Sequence, residues 1–296
     1  MAVTARFISA CGAAAGDAMW RNVLIAVLLA SITPAMSDEV VRFEAARYHV
    51  GPLQQRLAQE RGLPIQRPPA QELTGYLSKP SGDGPFPAVV YLHGCLGLEN
   101  FRREAAASQF TAWGYVALVV DSFATRGIAE DCSAPFSVRQ PDALGALRYL
   151  ATLPFVDPRR IALVGIAQGG TAALEIATAR QFEIFEMPAG VRFKSVVAFY
   201  PSCGAAGSEL AIPALVLTGG IENWGRAVDC EYWMRRRGNR GAAVTIEVYP
   251  EAYHAFDNPS LKIATRTFGG RWIKYDPDAT AKANAAMRDF LAAELK

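Results

Sequence analysis

Three stretches of this 296-residue chain could together carry out acyl transfer, and one of them lacks its reactive atom. The first is "GIAQGG", Gly165 to Gly170, a glycine-flanked turn between an apolar strand and an apolar helix. The second is Glu222 in "GGIENWG" and the third is His254 in "EAYHAFD". A carboxylate that orients an imidazole lets the ring take a proton from a nucleophile, and paired backbone N–H groups can hold the resulting oxyanion. The apex of such a turn is where a serine or cysteine would attack. Here it is Ala167, whose methyl group can attack nothing.

Those residues need a scaffold that brings three loops to one place. Strand-like runs are read at Leu73–Leu77, Phe86–His93, Tyr115–Ser122, Arg160–Ala167, Ser195–Pro201, Ala214–Gly219 and Ala243–Tyr249. "AVVYLH", "VALVV" and "ALVLTG" are continuously apolar, the mark of strands buried on both faces. Helix-length segments alternate with them: Glu99–Trp113, Pro141–Thr152, Gly170–Gln181 and Val228–Arg236, with a last helix from Asp278 to Leu295 after the start signal Asp276-Pro277. Such alternation predicts an α/β fold, a mostly parallel, doubly wound sheet with helices on both faces. Ligands in such sheets bind beyond the carboxyl ends of the strands. The turn, the acid and the histidine all leave strands at that end, in the chain order nucleophile, acid, base. His93 sits at a turn with its backbone rather than its ring and reads as structural, and His49 lies in a segment without a motif.

The segments "GPFPAVVYLHGCLGL", "VVDSFATRG", "DPRRIALVGIAQGG", "VVAFYPSCG", "LVLTGGIENW" and "VYPEAYHAFDNP" resemble the dienelactone hydrolase family of α/β-hydrolases, over roughly Leu73 to Leu295. The resemblance implies hydrolysis of carboxylic ester or lactone bonds. It places Ala167 at the nucleophile position, His254 as the base and Glu222 as the acid, where Asp is usual, with Asn223 replacing a second acidic residue often found beside it. It gives the oxyanion-hole amides to Cys95 and Gln168. Arg126 and Trp224 border the implied pocket as substrate-binding candidates. No cofactor or metal is implied.

Removing the nucleophile of a serine-type triad costs on the order of 10⁶ in turnover, so the usual acyl-enzyme route is excluded for this chain. Two readings remain. A water activated by His254 and Glu222 could attack directly, or the protein could be a pseudoenzyme of the cell envelope that binds a small ester, lactone or carboxylate without turning it over. An engineered knockout is set aside because the chain keeps its leader. Cys95 could stand in as a nucleophilic thiol only if it is unpaired.

The rest of the sequence narrows the setting. A balance of 30 basic and 28 acidic residues leaves no electrostatic footprint for nucleic acid. Arg21 followed by the apolar run Val23–Ile32 and by Ala35-Met36-Ser37 reads as a signal peptide over residues 1–37, with 1–18 an upstream start-site extension before Met19. The apolar run is about half the roughly 20 residues that a membrane span requires. A lead-in follows over residues 38–71, then the α/β-hydrolase domain over 72–296. The expected location is periplasmic or secreted. Cys95, Cys132, Cys203 and Cys230 remain in the mature chain, and an even count in an exported protein suggests two disulfides, against the alternative of four buried thiols. Of the three connectivities, Cys203–Cys230 and Cys95–Cys132 are expected, because those loops leave neighbouring strands at one end of the sheet.

Overall fold

A computed structural model describes residues 38–296 except 66, 68, 131, 133–138, 179, 208, 267–269 and 271. The leader reading therefore lies outside the described residues. Eight strands form one sheet: β1 (Glu39–Glu44), β2 (Glu72–Ser78), β3 (Phe86–Leu92), β4 (Val116–Asp121), β5 (Val156–Ile166), β6 (Ser195–Phe199), β7 (Ala214–Gly219) and β8 (Val244–Tyr249), in the order β1-β2-β4-β3-β5-β6-β7-β8. From β4 to β8 the pairing is parallel, and β1 and β2 add antiparallel strands at one edge.

The period of two divides each apolar strand between two cores. Ala88, Val90 and Leu92 of β3 face one core, and Val89 and Tyr91 face the other. The first core is covered by α3 (Gln140–Leu150), α4 (Gln168–Ile176) and α6 (Ala227–Arg237) through Leu144, Leu147, Leu174 and Trp233. The second lies under α2 (Asn100–Ala112) and α7 (Pro277–Glu294). Helix α7 buries Ala279, Ala283, Met287 and Leu291, a stripe at four-residue spacing. It starts where expected: the Asp276 side chain accepts from the Ala279 N–H at 2.9 Å, and Pro277 fills the first helical turn.

Two stretches differ from the sequence expectation. The lead-in contributes β1, in which Val41 and Phe43 point inward between exposed Val40, Arg42 and Glu44, and α1 (Pro52–Arg61), which buries no residue. Helix α4 ends at Ile176 rather than Gln181, because Ala177 accepts from the Ala211 N–H and Thr178 bridges to Leu210. That diversion leaves a short separate α5 (Gln181–Ile184).

Both expected disulfides are present, Cys95–Cys132 and Cys203–Cys230. Paired cysteines belong to oxidising compartments. Cys95 is thus committed, which removes it as a replacement nucleophile. Among the described residues no helix is long and apolar enough to cross a membrane.

Candidate active site

The turn between β5 and α4 is held by close backbone packing. Ala167 adopts φ 51° and ψ −111°, a conformation that side-chain-bearing residues rarely take and that costs about 1–3 kcal/mol. Around it the glycines are obligatory. A Cβ on Gly165 would lie 2.2 Å from the Gly169 carbonyl oxygen, and one on Gly169 would lie 2.4 Å from the Leu92 oxygen and 2.7 Å from that of His93. Helix α4 therefore begins pressed against the end of β3. Gly169→Ala is expected to cost about 3 kcal/mol through this overpacking, read as a lowered denaturant midpoint. Gly204→Ala, with nothing within 4 Å of the added carbon, serves as the control and should change little.

The turn after β3 reaches the same point. A Cβ on Gly94 would stand 3.4 Å from that of Ala167, so the "HGC" loop and the "IAQ" apex are in contact. Cys95 follows Gly94 directly and is buried. Gln168, the first residue of α4, is also buried, and its side-chain oxygen accepts from Arg139 at 2.9 Å.

Glu222 and His254 meet across the turns after β7 and β8. The His254 Nδ1 makes a short hydrogen bond to Glu222 Oε1, with the carboxylate wholly buried and the imidazole nearly so. The same carboxylate accepts from the Gly225 N–H at 3.0 Å and from the Thr218 hydroxyl at 3.4 Å. A ring that donates through Nδ1 keeps Nε2 as its basic nitrogen. Aromatic rings fix its plane. Trp224 stacks on it at 5.0 Å with 20° between planes, and Tyr200 meets it edge-on at 4.5 Å.

Tyr200 also links the imidazole to the elbow. Its neighbour Phe199 accepts the Ala167 N–H at 3.0 Å, and Tyr200 itself sits at φ 36°. Its hydroxyl donates to Asp257 Oδ1 at 2.6 Å, and Arg102 donates to the same carboxylate at 2.8 Å. Burial alone would raise the Asp257 carboxyl, but the Arg102 guanidinium and the hydrogen bonds from Arg102 and Tyr200 together hold the group below its usual range. The sequence reading gave Tyr200, Asp257 and Arg102 no role. Tyr200 and Asp257 lie inside "VVAFYP" and "AYHAFD", but side-chain partners 57 positions apart leave no local signature.

Family comparison decides what scaffold this is. The model of the dienelactone hydrolase family matches residues 73–295, three quarters of the chain. The chain belongs to the dienelactone hydrolase family. Among curated relatives, Esterase FrsA of Klebsiella pneumoniae (strain 342) is 30% identical over 119 residues, covering 39% of this chain and 28% of that protein. Esterase FrsA of Escherichia coli (strain K12 / DH10B) is 31% identical over 121 residues, covering 37% and 26%. The matched region is thus less than a third of those esterases' length. Among solved structures, m3DLH matches with a TM-score of 0.60 at 21% identity, over 88% of this chain and 100% of that one. A putative dienelactone hydrolase from Klebsiella pneumoniae subsp. pneumoniae MGH 78578 gives 0.56 at 17% identity, over 86% and 99%. These structures share the fold.

Two further residues of this dienelactone hydrolase family member were singled out by sequence. Arg126 makes a two-pronged ion pair with the fully buried Asp142, at 2.7 Å for each arm, and donates to the Ser122 carbonyl. It lines a separate cavity with Tyr48 and Pro141. His93 is buried, with Nδ1 2.7 Å from the Gly94 oxygen and Nε2 accepting the Ser122 N–H at 3.2 Å. Burial, assisted by the neighbouring Arg139 charge, pushes this imidazole well below its ordinary range. The folded protein keeps His93 neutral while the unfolded chain protonates near pH 6.5, so stability is complete above that pH and is lost as pH falls towards the folded value. The limiting slope for one proton is about 1.4 kcal/mol per pH unit. Urea unfolding at pH 7.5 and 5.5 should show a drop for the natural protein that is smaller in His93→Gln.

Proposed function

We propose that this family member hydrolyses small carboxylic esters or lactones without a covalent intermediate. A water takes the place above Ala167 that a serine hydroxyl would fill. His254 Nε2 removes its proton as the oxygen attacks the acyl carbon, and Glu222 stabilises the imidazolium that forms. The backbone N–H groups of Cys95 and Gln168 hold the oxyanion, helped by the positive end of α4. On collapse the imidazolium returns the proton to the departing alkoxide, giving a carboxylate and an alcohol.

The observation that carries this reading is the buried Glu222–His254 pair, with its ring plane fixed by Trp224 and Tyr200. Ligand binding alone would not call for an imidazole held in one tautomer by a buried carboxylate. General-base catalysis typically contributes about 10²–10⁴-fold, so His254→Ala should lower hydrolysis of p-nitrophenyl acetate by at least about a hundredfold. Equal rates for the two proteins would rule the reading out.

Ala167 itself favours a second reading, a pseudoenzyme that binds an ester, lactone or carboxylate in the same place. Thermal-shift titration with lactones and aromatic carboxylates tests it, because a bound ligand raises the melting temperature without product appearing. We further place the protein outside the cytosol, periplasmic or secreted. The two disulfides and the apolar stretch followed by small residues before Asp38 support that placement.

A further inference from the structure

Arg139 is the largest completely buried side chain among the described residues, and the reaction outlined above makes no use of it. Its guanidinium donates through one arm to the Gln168 side-chain oxygen at 2.9 Å and through the other to the His93 carbonyl at 2.7 Å. The Phe123 ring lies 4.9 Å beneath it. Burial lowers its pKa to about 10, against the opposing pull of Asp142, so the group stays cationic at neutral pH. No carboxylate of the described residues comes within 4 Å of it, since Asp142 is occupied by Arg126. Its Nε has no hydrogen-bond partner among the described residues. Burying a cation is costly, and an apolar side chain of similar volume often serves the fold as well. Its retention calls for another explanation.

The positions of its two partners supply one. His93 is the last residue before the Gly94–Cys95 turn, and Gln168 opens α4. Each arm therefore anchors one of the two backbone segments whose amides form the proposed anion cradle. The His93 oxygen also lies where a Cβ on Gly169 would meet it at 2.7 Å, so the clamp closes on the joint between β3 and α4. We infer that Arg139 is a positioning residue: its two-armed bridge from Gln168 to the His93 carbonyl sets the spacing of the cradle amides, and its charge gives the cradle a positive floor. This rests on the cradle reading of the site, and goes beyond it by assigning what holds the cradle in register.

The test uses Ala167→Ser as parent, which supplies a nucleophile that can be titrated. A fluorophosphonate counts competent sites, and p-nitrophenyl acetate gives kcat per titrated site and KM. A misplacement of about 1 Å in a catalytic group can cost about 10² in rate. Arg139→Met is expected to lower kcat per titrated site 30- to 100-fold (roughly, on that basis), with KM changed little. Arg139→Lys, which keeps the charge but loses the two-armed fork, should fall in between. Gln168→Leu removes one arm only and should lose about tenfold on the same basis; it decides the matter if Arg139→Met does not fold. A merely structural role would reduce the number of titrated sites and leave kcat per site unchanged. Unchanged kcat per site in Arg139→Lys and Gln168→Leu would overturn the inference while leaving the cradle reading intact. Failure of the Ala167→Ser parent to label would overturn both.

Discussion

Ala167→Ser is expected to raise hydrolysis of p-nitrophenyl acetate by at least about a hundredfold over the natural protein. Loss of a nucleophile from a complete triad costs on the order of 10⁶, and its return recovers whatever part the remaining groups still support. Those groups are present here. Glu222 and His254 are hydrogen-bonded and buried, Trp224 and Tyr200 fix the imidazole, and the turn keeps a strained φ of 51° at position 167. Alanine has no chemical use for that conformation. The backbone is held there by the packing of Gly165, Gly169 and Gly170 against β3, β5 and β6. A new serine would therefore project from the same point with no rearrangement of the chain. The gain should vanish in Ala167→Ser/His254→Ala, because a serine hydroxyl without its base is a weak nucleophile at neutral pH.

The parallel sheet was legible in the sequence because its strands are unbroken apolar runs separated by helices with one apolar face. Asp276-Pro277 marked the start of α7 for an equally local reason: its side chain caps a backbone N–H three residues on. The pairing Cys95–Cys132 and Cys203–Cys230 followed from which loops share an end of the sheet. Strand β1 was not legible. Val41 and Phe43 alternate with exposed residues over only six positions, one of those residues being the apolar Val40, and their burial depends on pairing with β2 some 30 residues later. In the candidate site, the residues in short motifs could be named in advance, among them Ala167, Glu222 and His254. The Arg102–Asp257–Tyr200 chain and the buried Arg139 could not, because nothing in a sequence window shows that a polar side chain will find its partner in a distant segment of the chain. For the same reason the ion pair of Arg126 with Asp142 had no signature in the sequence.

The stability changes expected for Gly169→Ala and for His93 in acid probe the frame around the apex. Neither reports whether the apex and the imidazole work together. That question is answered by the ionisation of a thiol placed at the apex. An ordinary cysteine has a pKa near 8.5 and is well under about 1% ionised at pH 6. A thiol beside a histidine imidazolium and a helix N-terminus is ionised far lower, at about 3.5–7.5. Ala167→Cys should therefore react with iodoacetamide at pH 6 at least about thirtyfold faster than a cysteine placed on the protein surface. Its reactivity should be close to its plateau by pH 8, where an ordinary thiol is still rising. The four cysteines of the two disulfides do not interfere, and Cys11→Ser removes the one other thiol of the full chain. In the same background His254→Ala should return the thiol to ordinary behaviour. The measurement is the rate of alkylation against pH. A profile with its midpoint below pH 7 that moves up when His254 is removed is the result predicted here. A midpoint near 8.5, indifferent to His254, would show that position 167 and the imidazole do not share a site.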